Sequence, residues 1–192
     1  MKKQRLEAFS DGVLAIIITI MVLELHAPRG VELADLRPLL PVFVSYALSF
    51  VFIGIYWNNH HHMIQAAEKV NGAILWANLH LLFWLSMVPF ATAWMGAHAF
   101  SAWPVALYGV VLLFAGTAYY ILARLLASHH GHTSTLSKAL GADVKGKASI
   151  AVYAAAIPLA FVSPPLAYAL YGLVALIWLC PDSRFEIGRA HV

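Results

Sequence analysis

The sequence predicts an all-α, polytopic integral membrane protein with six transmembrane helices. Of its 192 residues, 61% are hydrophobic and only 11% are charged, and the mean hydropathy is +0.76. Soluble domains carry roughly 25% charged residues, because polar groups must cover their surface. A chain with less than half of that share must turn most of its surface to lipid or to other helices. The hydrophobic residues are also grouped into segments of about 20, the length that crosses roughly 30 Å of hydrocarbon.

Turn signals and charged residues separate the first four predicted spans. These spans cover residues 6–25, 39–64, 72–95 and 103–126. The turn signal Ala27-Pro28-Arg29-Gly30 ends the first span, and the pair Glu68-Lys69 lies between the second and the third. The polar stretch at residues 128–147 is expected to be a solvated loop.

The last hydrophobic region, residues 148–179, is too long for one helix. It is interrupted by Pro158 and by the pair Pro164-Pro165. We interpret it as two short spans in a hairpin, which gives six spans in all. The alternative is one long kinked helix, which gives five.

Residues 1–185 are expected to form a single six-helix transmembrane domain. The last seven residues, 186–192, read like the translation of a common DNA-sequencing adapter, so we expect them to be non-native. The single cysteine, Cys180, excludes a disulfide framework within the chain. The basic residues are scattered along the chain and do not indicate nucleic-acid binding.

The distribution of lysine and arginine predicts that both termini are cytoplasmic. With six spans, the outer segments hold only Arg29 and Arg37. The inner segments hold nine basic residues: Lys2, Lys3, Arg5, Lys69, Arg124, Lys138, Lys145, Lys147 and Arg184.

Several polar side chains lie inside the predicted spans, where an unpaired ionisable group is costly and is therefore a candidate for a role. The topology places Asp11, the run His60–His62 and Asn78 at similar depth, one or two turns from the inner interface. Two interpretations remain open. The groups form a polar clasp that docks the helices, or they form a proton relay or ligand site.

The histidines do not predict a metal site. Three consecutive histidines point in three directions on a helix, and His60, His61 and His62 include no pair at i and i+4. The group His129, His130 and His132 is better explained as part of a solvated loop. The sequence therefore gives no indication of a metal enzyme.

One stripe of the first span combines aliphatic and small residues. Its members share a helical face: Gly12, Ile16, Thr19, Ile20 and Leu23. Periodicity alone leaves open whether this stripe meets lipid, a neighbouring helix or a pore.

The head of the first span carries a specific motif. The run Arg5-x-x-x-Phe9-Ser10-Asp11-Gly12-Val13-x-Ala15-Ile16, continuing to Thr19, resembles the signature of the transmembrane protein 175 family of potassium channels. Later residues agree with that family: Tyr56-Trp57 followed by His60-His61, then Asn78, then Pro89-Phe90. The similarity covers the first three spans, and the remaining half agrees in helix count and hydropathy.

The resemblance implies a potassium-selective, leak-like channel that needs no cofactor, with K⁺ as the permeant ion. It implies a homotetramer in the bacterial inner membrane, with the first helix of each chain lining a central pore. By position, Ile16, Ile20 and Leu23 would form the constriction, with Thr19 as a polar layer. The signature and helix-docking network would comprise seven residues: Arg5, Phe9, Ser10, Asp11, Trp57, His61 and Asn78.

Glu24, near the predicted outer mouth, has two interpretations. Four copies would form an acidic ring that concentrates cations, or each is simply an exposed interfacial carboxylate. The alternative function for the whole chain is a proton-coupled transporter that uses Asp11 and the His60–His62 run as a relay.

Overall fold

The computed structural model describes residues 3–67, 69–129 and 143–179 and is all-α in these ranges. The described residues contain seven α-helices in six helical units, because α3 and α4 together form one span that is interrupted at Met87. The helices are α1 Lys3–Leu23, α2 Leu40–Gln65, α3 Gly72–Ser86, α4 Val88–Ala97, α5 Ala102–His129, α6 Val144–Leu159 and α7 Pro164–Leu179. A 3₁₀ helix, Leu33–Leu39, precedes α2.

Four of these units are long and apolar enough to cross a membrane: Lys3–Leu23, Leu33–Gln65, Gly72–Ala97 and Ala102–His129. The predicted all-α membrane fold is thereby confirmed, with six helical units of which four are long apolar spans. The helix ends differ slightly from the prediction. Both ends of the predicted loop at 128–147 are helical, because α5 continues to His129 and α6 begins at Val144. Cys180, residues 130–142 and the tail at 186–192 lie outside the described residues.

The third span is interrupted at Met87, where the sequence predicted one continuous span over residues 72–95. Pro89 has no N–H group and cannot donate to the carbonyl four residues earlier, so the regular ladder is interrupted. Accordingly, α3 ends at Ser86 and α4 begins at Val88, with the Met87 N–H directed at the carbonyls of Trp84 and Leu85.

The last hydrophobic region forms two short antiparallel helices, α6 and α7, rather than one kinked helix. Each has 16 residues, which corresponds to about 24 Å along the axis. The ring centroids of Tyr153 and Tyr171 lie 6.2 Å apart, and the Trp178 Nε1–H donates to Ser149 Oγ at 2.9 Å. The two helices are therefore joined along their length.

A buried group of three hydroxyls connects α2, α4 and α5. Ser49 Oγ lies 2.6 Å from Thr92 Oγ1 and 2.9 Å from the Tyr108 hydroxyl. Thr92 also donates to the carbonyl of Val88 in its own helix. Because such groups find no water inside a membrane protein, their mutual hydrogen bonds help to fix the three helices against one another.

Two helices also approach closely at a glycine. A Cβ atom on Gly96 of α4 would lie 2.6 Å from Ser45 Oγ and 2.9 Å from the Cα atom of Val42, both on α2. Small residues permit this kind of backbone approach between membrane helices. The contact fixes α2 against α4, and α2 in turn supports α1.

Candidate functional site

Helix α1 has one buried face and one uncovered face within the protomer. The buried face repeats every three or four residues and contains Leu6, Ser10, Leu14, Ile17 and Met21. It packs against α2, α3 and α4. This spacing is that of a single helical stripe, so the whole length of α1 is docked through one side.

The predicted constriction residues lie on the uncovered side of α1. Ile16, Ile20 and Leu23 are 59%, 44% and 71% exposed. Thr19 lies on the same side, with its hydroxyl bonded to the carbonyl of Ala15 at 2.8 Å. A hydrophobic helix thus presents a second apolar stripe that none of the described residues covers, and lipid, a neighbouring copy or a pore must meet it.

Two residues of the signature share this uncovered side. Phe9 is 53% exposed, and Arg5 is exposed as well. The contacts among the described residues give Arg5 neither an ion pair nor a hydrogen bond. Phe9 lies about two turns and Arg5 about three turns before Ile16 on the same stripe, and neither residue is on the face of α1 that docks against the other helices.

The docking network has a fully buried part that joins α1, α2 and α3. Asn78 Nδ2 donates to Ser10 Oγ at 3.0 Å, and Ser10 donates to the carbonyl of Leu6 at 2.9 Å. His60 Nε2 lies 2.7 Å from Asn78 Oδ1. With the Asn78 amide in this orientation its oxygen can only accept, so His60 Nε2 carries a proton and donates. The other ring nitrogen, Nδ1, is sealed from solvent and has no partner among the described residues.

A second, half-exposed part joins α1 and α2. The Trp57 Nε1–H donates to Asp11 Oδ1 at 3.1 Å, and the Trp57 ring stacks on His61 with centroids 6.1 Å apart. His61 Nδ1 lies 3.1 Å from Glu7 Oε1. This part therefore links two carboxylates of α1 to one face of α2.

The histidine that bonds Asn78 is His60, whereas the predicted network of seven residues included His61 from the run His60–His62. His61 contacts Glu7 instead, a residue that was absent from the predicted network. A sequence signal does single out His60. It continues the buried stripe of α2, which includes Ser45, Ser49, Phe52, Ile53, Tyr56 and His60.

A lysine ties the start of α1 to the end of α2. Lys3 Nζ donates to the carbonyls of Gln65 at 2.8 Å and Ala67 at 2.9 Å. Carbonyls at the C-terminus of a helix lack intrahelical partners and carry partial negative charge, so a cation is favourable there. The two helix ends consequently lie on the same side of the membrane.

Glu24 lies directly after α1 and is exposed. Its carbonyl is 2.8 Å from His26 Nδ1. Among the described residues, no three His, Cys, Asp or Glu side chains are grouped so that they could hold a metal ion.

Comparison with known proteins assigns the family. Residues 5–89 match the sequence profile described as the endosomal/lysosomal potassium channel TMEM175. A protein described as a potassium channel, from Chryseobacterium sp. (strain P1-3), is 54% identical over 186 residues that cover 97% of each chain. This chain belongs to the TMEM175 family. The resemblance read from the Phe-Ser-Asp motif is thereby confirmed.

Two further TMEM175 relatives extend the similarity along the chain. A potassium channel of Streptomyces collinus is 32% identical over 91% of this chain and 90% of its own length. The crystal structure of a lysosomal potassium-selective channel TMEM175 homolog from Chamaesiphon minutus has a TM-score of 0.80 at 26% identity, covering 92% of this chain and 96% of that one. TMEM175 is a family of channels and not of enzymes, and its profile spans the uncovered stripe and both parts of the docking network.

Proposed function

We propose that this chain forms a homotetrameric, potassium-selective, leak-like channel whose pore is lined by α1. Its full-length bacterial relatives in the TMEM175 family are described as potassium channels, one of them at 54% identity. The observation that carries the proposal is the uncovered stripe of α1, opposite the face that docks the helix. Four such stripes around an axis would enclose a pathway.

The chemistry of the stripe fits a constriction. Four copies each of Ile16, Ile20 and Leu23 would form apolar collars, and narrow apolar collars gate ion flow by losing water. Thr19 would supply a hydroxyl layer between the first two collars. Glu24 would follow as an acidic ring that raises the local concentration of cations. An exposed charge at each end, Arg5 and Glu24, suits a hydrated pathway with a dry middle.

The proposed orientation has both termini in the cytoplasm of a bacterial cell, with the protein in its inner membrane. The Lys3 contacts support a shared side for the start of α1 and the end of α2. Further basic residues lie near helix ends on that same side, which is the positive-inside pattern. They are Lys69 after α2, Arg124 near the end of α5, and Lys145 and Lys147 in the first turn of α6.

The proton-coupled transporter is a weaker candidate on the described contacts. A relay would need Asp11 and the histidines to exchange protons along a continuous chain. Asp11 is bonded instead to the indole N–H of Trp57, which is only a donor and cannot pass a proton on. His60 lies in the separate, buried part of the network.

The experiment is potassium flux into liposomes that contain the purified protein, with Ile16→Asn as the test variant. Val22→Asn is the matched control, because Val22 is also an exposed aliphatic residue of α1, at 43%, but lies off the stripe. We expect wild type to prefer K⁺ over Na⁺. Ile16→Asn should raise the flux or lower the selectivity, because a polar collar stays hydrated, and Val22→Asn should behave as wild type.

Two outcomes would contradict the proposal. If the correctly assembled wild-type protein showed no K⁺ flux, the proposed channel function would be wrong. Equal effects of the two variants would indicate that the stripe contacts lipid or another helix and does not line a pore. The assembly itself is checked by the mass of the detergent-solubilised particle, which should equal four chains.

A further inference from the structure

The turn between α6 and α7, residues 160–163, is apolar although it is exposed. Val162 is 83% exposed, and Phe161 is half-exposed. The chain has no charged residue from position 148 to position 179, so the turn and nearly all of both helices are uncharged. Exposed apolar side chains without charges around them mark a surface that meets an apolar partner.

The link between α1 and α2, residues 24–39, lies at the same end of the bundle and has the opposite character. The Tyr168 hydroxyl of α7 donates to the carbonyl of Val44 at 3.0 Å, so the start of α7 lies beside the start of α2. The link carries five charged residues: Glu24, Arg29, Glu32, Asp35 and Arg37. This end of the bundle therefore has one charged connection that suits water and one uncharged connection that does not.

Every backbone N–H group of the α6–α7 turn is hydrogen-bonded within the protein. Residues 160–163 donate to carbonyls near the end of α6 at 2.8 to 3.2 Å. The start of a helix ordinarily leaves four N–H groups free. Here α7 begins with Pro164 and Pro165, which have no N–H group, and the next two residues, Leu166 and Ala167, both donate to the Ser163 carbonyl at 3.1 Å. The turn thus has no free donor of the kind that keeps irregular backbone out of lipid.

The carbonyl groups of the turn fix its depth. Those of residues 160–162 accept no hydrogen bond from the described part of the chain, so they need water or a polar headgroup. Trp103, at the start of α5, has an exposed ring that packs edge-on against Phe161, with centroids 4.8 Å apart. Tryptophan is enriched where hydrocarbon meets the headgroups. Both observations place the backbone of the turn at that boundary.

The length of α6 agrees with this depth. Its 16 residues correspond to about 24 Å, and the hydrocarbon core is about 30 Å thick. The charged residues Lys145 and Lys147 lie in the first turn of α6, at the opposite end from the α6–α7 turn. With those lysines at one boundary, α6 is too short to carry the turn beyond the other boundary into water.

We propose that the α6–α7 turn is a lipid-binding surface at the boundary between hydrocarbon and headgroups, with Phe161 and Val162 in contact with phospholipid acyl chains. The carbonyls of the turn would accept hydrogen bonds from headgroup donors, such as an ethanolamine ammonium group, or from interfacial water. In the proposed orientation this boundary belongs to the outer leaflet. The depth of the turn depends neither on that orientation nor on ion permeation.

The test measures the depth of a nitroxide spin label on the full chain in vesicles of phosphatidylethanolamine and phosphatidylglycerol. Cys180, the single cysteine, is first replaced by alanine, and the label is attached to Val162→Cys. Val31→Cys is the matched control, because Val31 is also an exposed valine, at 98%, but lies in the charged link at the same end. Electron paramagnetic resonance then compares collisions of the label with oxygen, which concentrates in hydrocarbon, and with a water-soluble nickel complex. We expect the ratio of oxygen to nickel collisions to be several-fold higher at position 162 than at position 31.

Two outcomes of the spin-label experiment would overturn the proposal. Equal collision ratios at the two positions would place the α6–α7 turn in water. A label at position 162 that neither oxygen nor nickel reaches would show that protein covers the turn, as in a contact with a second copy. Elution volumes that match the unlabelled protein check that both variants are assembled.

A charge substitution gives an independent measurement. Val162→Asp should lower the unfolding temperature in nanodiscs of the same lipids by several degrees, because a carboxylate there would lose hydration. Val31→Asp should leave the unfolding temperature unchanged, since its side chain stays in water. Equal shifts in the two variants would contradict a lipid contact at Val162.

Discussion

His60 on α2 and Asn78 on α3 are joined by a hydrogen bond of 2.7 Å, and both side chains are excluded from solvent. Asn78 also donates to Ser10 of α1, so one amide connects three helices. Its amide N–H and its carbonyl oxygen are both used, and both partners, Ser10 and His60, are buried. Asn78 is therefore the residue on which the buried part of the docking network depends.

We predict that Asn78→Leu lowers the free energy of unfolding by about 1–3 kcal/mol, because the His60 N–H then stays buried without an acceptor. Asn58→Leu is the matched control, since Asn58 lies on α2 and is exposed. It should change stability little. Denaturation of the purified protein in mixed micelles measures both. An equal loss in the two variants would show that the Asn78 amide has no special role.

The sequence predicted the spans well because hydropathy over 20 residues averages out local detail. It did not predict which histidine meets Asn78. Adjacent helix positions differ by about 100° in direction, so the choice between His60 and His61 depends on the rotation of α2. That rotation is set by packing far away, at contacts such as Ser49 with Tyr108 and Val42 with Gly96.

The interruption between α3 and α4 was not predicted from the sequence either, although Pro89 is part of the family motif. In membrane helices a proline can be accommodated without a break when other groups replace the lost hydrogen bond. Hydropathy carries no information on that outcome. The exposed position of Arg5 and Phe9 was not predicted for a related reason. A sequence motif contains residues from both sides of α1, and only their angular position around the helix distinguishes those that dock α1 from those on its uncovered stripe.

We predict that Asp11 and Trp57 are energetically coupled. In a double-mutant cycle with Asp11→Ala and Trp57→Phe, the two losses of stability should be less than additive by about 0.5–2 kcal/mol, because each change removes the same hydrogen bond. Phenylalanine keeps an aromatic ring beside His61. The measurement is unfolding of the four proteins in the cycle.

A control cycle combines Asp11→Ala with Trp84→Phe. Trp84 donates its indole N–H to His80 within α3, away from Asp11. Its coupling to Asp11 should be close to zero. A similar coupling in both cycles would mean that Asp11 acts through general destabilisation of the bundle rather than through Trp57.

The buried hydroxyls make a third prediction. Ser49→Ala should cost more than Tyr108→Phe, because alanine leaves the Tyr108 hydroxyl buried without a partner, whereas phenylalanine leaves Ser49 bonded to Thr92. Typical interhelical hydrogen bonds in membrane proteins contribute about 0.6 kcal/mol, with larger values when a partner is stranded. In the Tyr108→Phe background, Ser49→Ala should cost less than in wild type. The reverse order in denaturation midpoints would contradict the network.

The approach of α4 to α2 at Gly96 makes the last prediction. In Gly96→Ala the new methyl group would meet Ser45 Oγ, which can turn away, and the Cα atom of Val42, which cannot move without its helix. We expect a loss of about 1–3 kcal/mol, the usual cost of overpacking. Gly172→Ala has open space and should be neutral or slightly stabilising. Thermal unfolding in the same detergent compares the two. If Gly96→Ala matched Gly172→Ala, α2 would be free to shift against α4, and the register that presents His60 to Asn78 would have to be held elsewhere.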